Sequence, residues 1–180
     1  MAKLNAIGGN FVQLQSKNPF DRINAVYSLG AVQFTCKLKP ATSEQITNGF
    51  VAALNDKFRR VRVTAISELA ANNCGEERIL DILSAALKKD GSHIGSNQLS
   101  EIISYMVGSE YGISTVARML ADRSFPNEVR SASATKLGHA GENTAEVRNS
   151  LEEGAKDPDT TVSVFSKLSL AKINQCVAQE

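Results

Sequence analysis

Asp56-Lys-Phe-Arg-Arg-Val61-Arg62-Val-Thr-Ala65-Ile-Ser-Glu-Leu69-Ala70 decides the fold, because its spacing recurs along the chain. With Val61 as the reference, Asp21, Gly95, Val129 and Val162 stand in equivalent places, separated by steps of 40, 34, 34 and 33 residues. Eight residues beyond these anchors come Leu29, Leu69, Ile103, Leu137 and Leu170, all aliphatic. The next residue is Gly30, Ala70, Ser104, Gly138 or Ala171, small enough to let neighbouring helices approach closely. Five residues before each anchor stand Ser16, Asp56, Asp90, Ser124 and Asp157, short polar types that accept backbone N–H bonds where a helix begins. A period of this length with this content is that of a two-helix solenoid repeat.

The turn and second helix so defined resemble a HEAT-type helical repeat. The resemblance implies an all-α fold, a right-handed α-solenoid of about five helix pairs whose second helices line a concave face. It is expected as a single array over residues 1–180, with repeats near 10–37, 42–74, 76–107, 110–141 and 143–176. In that family an acid and an arginine six residues apart form ladders between neighbouring turns, so the resemblance gives Asp56 and Arg62 a structural role. It gives Arg130 the same role more weakly, since Ser124 replaces the acid there. Asp90 and Asp157 stand opposite Ser96 and Ser163, so the ladder is expected to break at both.

Composition agrees with small and medium side chains packed between helices: Trp is absent, only 6% of residues are aromatic, and four prolines accompany weak strand patterning. A net charge of +1 supplies no global field for nucleic acid. Cys36, Cys74 and Cys176 are odd in number and far apart, indicating neither a disulfide framework nor a zinc site, and fit a reducing compartment. The first nine residues lack the apolar core of a signal peptide, and nowhere do eighteen apolar residues run together. A cytoplasmic protein without membrane association is expected.

In chain order, a short first helix is expected around Phe11 to Gln15 with Gly8 and Gly9 before it as a capping position. Asn18 and Pro19 read as N-cap and first residue of the next helix. Thr42 with Gln45 and Asn143 with Glu146 read as capping pairs, and Asp157 with Pro158 repeats the device of cap followed by proline. Ile79, Ile82, Leu83, Ala86 and Leu87 mark the clearest amphipathic helix. The segment 96–107 keeps its core but loses the Val-Arg signature, making it the most degenerate central repeat.

No catalytic constellation or metal site is present in the sequence, and no cofactor is expected. His93 and His139 lack partners at a telling spacing, and there is no phosphate-cradling loop, GxSxG elbow or HExxH. HEAT-like DNA glycosylases use Trp and a basic groove, both missing here. HEAT-like phycobilin lyases and phycobilisome proteins are closer in size, and the resemblance implies a bilin or a phycobiliprotein subunit as an alternative client. The three cysteines fall 15, 13 and 14 residues beyond their anchors, near the same end of their second helices. The expected function is a non-catalytic scaffold or adaptor for a protein client. Arg22, Lys57, Arg59, Arg60, Arg130 and Lys167 are the expected contacts, as charged residues presented at the surface, with Phe58 inside the basic cluster.

Overall fold

The structure, a computed structural model, describes residues 2–177 and the side chains of residues 7–175. Among the described residues there are ten α-helices, no strand, and one 3-10 turn, Gly91–His93. The helices are α1 (Ala2–Gln13), α2 (Pro19–Thr35), α3 (Pro40–Ala53), α4 (Arg59–Asn73), α5 (Glu77–Asp90), α6 (Ser96–Val107), α7 (Gly112–Ala121), α8 (Asn127–Ala140), α9 (Ala145–Gly154) and α10 (Thr160–Val177). They fall in the five pairs that the periodicity predicts. The chain divides into two compact units, residues 1–73 and 74–180.

In the first unit α2 packs against α1, α3 and α4, and α3 packs against α4. The core is built from Ala25, Val26 and Leu29 of α2, Ile46 and Phe50 of α3, and Val61, Ala65, Ile66 and Leu69 of α4, all fully buried. In the second unit α7 lies against α5, α6, α8 and α9, while α10 packs on α8 and α9. Leu83, Ile103, Val116, Leu120, Val129, Leu137, Leu151 and Val162 fill that core.

In α2 and α8 the small residue after the aliphatic one does what its size suggests. A Cβ on Gly30 would lie 1.8 Å from a carboxylate oxygen of Glu68, and one on Gly138 would lie 2.3 Å from the Ser169 hydroxyl. Glu68 and Ser169 both stand seven residues beyond their anchors, so each glycine receives the same position of the next second helix. The position fails in α6, where Ser104 is exposed and Ile102, Ile103 and Met106 fill the core instead. In α10, Leu170 is half-buried and Ala171 exposed.

Several expected helix starts move. Gly8 and Gly9 lie inside α1, which begins at residue 2, so the first pair starts well before residue 10. Asn18 caps α2 as expected, accepting the Phe20 N–H at 3.1 Å, with Pro19 at the first turn. Thr42 is inside α3, because Pro40 already supplies a helical φ and begins the helix. The cap of α9 is Thr144, which accepts the Val147 N–H at 3.3 Å, while Asn143 is taken up by Arg148. Asp159, not Asp157, caps α10 by accepting the Val162 N–H at 3.0 Å.

Candidate functional site

The two turns carrying Asp56 and Asp157 are held by buried ion pairs that reach back to the preceding helix pair. Arg22 of α2 donates from Nε to Asp56 at 2.6 Å and from Nη2 at 2.9 Å, and from Nη1 to the Ser16 carbonyl at 2.6 Å. In the second unit Arg130 of α8 donates to both carboxylate oxygens of Asp157, and its Nη2 also donates to Asn127 Oδ1 at 2.7 Å. Both arginines stand one residue beyond their anchors. Arg62, the equivalent residue of α4, donates to the Asp56 carbonyl at 2.9 Å just as Arg22 does to that of Ser16, which fixes α2 and α4 in the same register.

Two sequence expectations are thereby corrected. Arg22 and Arg130 are only 7% and 4% exposed, so they present no charge at the surface; they anchor turns. Nor is the ladder broken at Asp157, because its partner is the arginine of the preceding repeat and not the residue six positions on. Burial pushes the Asp56 carboxyl up, but the Arg22 guanidinium and the Phe58 N–H outweigh it and hold the group below the usual range. Asp157 is held low in the same way, by Arg130 and the Asp159 N–H against its burial.

Lys57, Arg59 and Arg60 are exposed, as is Lys167 on α10 of the second unit. Phe58 is half in solvent, its ring 5.3 Å from both the Arg22 guanidinium and the Lys57 ammonium. The basic cluster is thus tied to the first turn of α2 by Phe58. That helix carries a feature not singled out in the sequence: Phe20, Tyr27 and Phe34 are 62%, 50% and 79% exposed. Their seven-residue spacing is the signal in the sequence that marks them. Elsewhere in the first unit a cleft of about 350 Å³ opens between Phe11 of α1, Leu14 just beyond its end, and Gly49 and Ala52 of α3, with the Arg22–Asp56 pair on its wall.

Charge is unevenly spread. Residues 1–73 hold nine lysines and arginines against four acids, whereas residues 74–180 hold eleven against fifteen. The overall balance of +1 conceals a basic first unit and an acidic second one.

Cys74 offers little nucleophilic chemistry. Burial pushes the Cys74 thiol up to about 12, so its thiolate is scarce at neutral pH. Cys36 is half-buried beside the Thr35 hydroxyl, and the side chain of Cys176 lies outside the described residues. His93 is exposed against Ser92, and His139 has its pKa lowered by burial, Lys172 and Lys136. Among the described residues no cluster of three His, Cys, Asp or Glu is placed to hold a metal, and no helix is long and apolar enough to cross a membrane.

The chain is an all-α protein of helical-repeat, α-solenoid type. Its fold is similar to that of an engineered protein solved by the Northeast Structural Genomics Consortium, with a TM-score of 0.53 and 15% identity over 93% of this chain and 79% of that one. Further similarities are to human deoxyhypusine hydroxylase in complex with glycerol (TM-score 0.39, 14% identity, 94% and 85% of the two chains) and to a designed armadillo repeat protein (0.31, 13%, 92% and 98%). No family model matches the sequence, and no curated protein does. At such identities the likeness concerns the fold alone.

Proposed function

We propose that the protein is a non-catalytic scaffold that binds a protein client through the exposed side of α2 and the basic start of α4. The observation that carries this reading is the set of three large aromatic side chains left in solvent on α2 while the opposite side of the same helix is fully buried. Tyr and Phe expose considerable apolar area there, and such anchors, rimmed by arginine, are the usual makings of a protein contact. Lys57, Arg59 and Arg60 form the rim in the first unit; Lys167 is a separate candidate contact on the second.

The test is affinity capture of the full chain from its native cells, with mass spectrometry and an absorption spectrum of the eluate. A colourless complex with one protein, weakened by raised salt and by Arg59→Ala with Arg60→Ala at unchanged helix content, supports the scaffold. Visible absorbance together with a phycobiliprotein subunit would instead favour the bilin-handling alternative, and turnover on such a client would refute a non-catalytic role.

A further inference from the structure

The exposed residues of α2 repeat with the period of a coiled-coil seam. Phe20, Asn24, Tyr27, Ala31 and Phe34 follow one another at alternating steps of four and three, the spacing of d and a positions in a heptad, and all five are exposed. None is charged. At 100° per residue they cluster on the side of α2 opposite Ala25, Val26 and Leu29, which are fully buried. The helix therefore has an apolar face used in the core and an opposite, mostly aromatic stripe, interrupted by Asn24, that is unpartnered among the described residues.

A seven-residue period drifts by only about 20° per heptad on a straight α-helix, so the three aromatics stay within about 40° of one another along about 21 Å of helix. A straight partner helix crossing at about 20° keeps contact with such a stripe over its whole length. A flat loop or a strand has no matching period.

The surroundings are cationic. Register equivalence puts Arg60 on α4 where Phe20 stands on α2, and Arg59 and Lys57 are exposed beside it. Lys37 and Lys39, both exposed, follow the other end of α2. On α2 itself the only charged groups are Asp21, which accepts bonds from Ser16 and Asn18, and the buried Arg22. Glu68 of α4 packs on Gly30 of α2 and is half-buried.

We propose that α2 is a docking seam for one amphipathic helix of a partner protein, apolar at its own a and d positions and acidic at the flanking positions. This rests on the scaffold reading and narrows its partner. A second copy of the chain fits the seam less well, since an α2–α2 pairing would bring together two units with nine basic residues against four acids each.

The experiment uses the full chain and three synthetic four-heptad peptides. One has Leu at a and d with Glu at e and g, one has Lys in place of Glu, and one has the Glu composition in scrambled order; each carries a single Trp as reporter, which the protein itself lacks. The expected result is binding of the Glu peptide at least tenfold tighter than either control. It should weaken at least tenfold on Tyr27→Glu or Phe34→Glu, with helix content and the hydrogen exchange of α2 and α4 amides unchanged. Equal binding of all three peptides, indifference to both substitutions, or a Tyr27→Glu-sensitive homodimer by light scattering would overturn the proposal. A wild-type chain that ignores the Glu peptide, while a client from native extract stays on the Tyr27→Glu variant, would overturn the seam and leave the scaffold standing. Failure of both peptide and client binding would remove the two together.

Discussion

Removing one member of the Arg22–Asp56 pair should be among the most damaging surface-distant changes in the first unit, and removing both should be much milder. The two side chains are 8% and 12% exposed, so neither is well hydrated, and the bond is bidentate at 2.6 and 2.9 Å. Asp56→Ala leaves a guanidinium buried without its counter-charge, a cost of about 3–5 kcal/mol. It also removes the acceptor of the Phe58 N–H at 2.8 Å, a turn bond worth about 1 kcal/mol. Against a typical total of about 5–15 kcal/mol this is a large fraction. Replacing both by apolar groups of similar volume, Arg22→Met with Asp56→Leu, avoids the stranded charge and is expected to recover most of the loss.

Because the chain has two units, a single melting temperature is a poor readout. Hydrogen exchange resolved to α2 and α4, with α8 as the internal reference, reports the local effect. The pH dependence has a definite sign. Asp56 is more acidic in the folded protein than unfolded, so its contribution is present above the unfolded value of about 4 and is lost as pH falls through the lower folded value. The wild type should lose protection in α2 and α4 over that acidic window, and the double apolar variant should not show that step. Single variants within about 0.5 kcal/mol of wild type, or single effects that simply add in the double variant, would refute the claim that the pair works as a unit.

Leu69→Ala, a truncation at a fully buried site, should cost about 2–5 kcal/mol, read as faster exchange of α4 amides against α8, and a negligible cost would mean the repeat register is wrong. Gly138→Ala places a Cβ 2.8 Å from the Ser169 Cα and should cost about 1–3 kcal/mol, because backbone cannot step aside as a side chain can. Gly8→Ala and Gly9→Ala, both inside α1 and with nothing within 4 Å of the added carbon, should each stabilise that helix by about 0.5–1 kcal/mol, read as added ellipticity and slower exchange of α1 amides. Cys74 should react with a thiol reagent far more slowly than Cys36 at pH 8, since it is buried and its pKa is raised to about 12; equal rates would show that α4 frays at its end.

The repeat was legible because its determinants are local and periodic: an aliphatic residue eight beyond the anchor, a small one after it, a short polar residue at the turn. Failures came where the physics was not local. Arg22 and Arg130 look like surface charge in the sequence, and only the acid 34 or 27 residues further on explains their burial. Gly8 and Gly9 look like punctuation, yet α1 runs through them. Thr42 and Asn143 have the right chemistry for caps, but Pro40 and Thr144 reach the helix start first. The charge separation was hidden by summing over a chain that folds as two units.

The register that fixes the framework also separates it from the surface. One residue beyond the anchor, α2, α4 and α8 all carry arginine, and in α2 and α8 that arginine grips the aspartate of the next turn. One residue before the anchor the same helices carry Phe20, Arg60 and Glu128, each exposed and each of a different chemical kind. A side chain two positions away on a helix points some 200° round the axis, so the first can change without touching the second. Residues on the outward register are therefore free to be chosen by what they bind, and in α2 the aromatic choice recurs three times at one heptad spacing, at Phe20, Tyr27 and Phe34. Packing within the unit does not require it, since α4 has Arg60 and Ser67 at the first two of those places and folds on the same core. A recurrence that the core does not demand is best accounted for by something outside the unit, which makes α2 the place where a partner is to be sought.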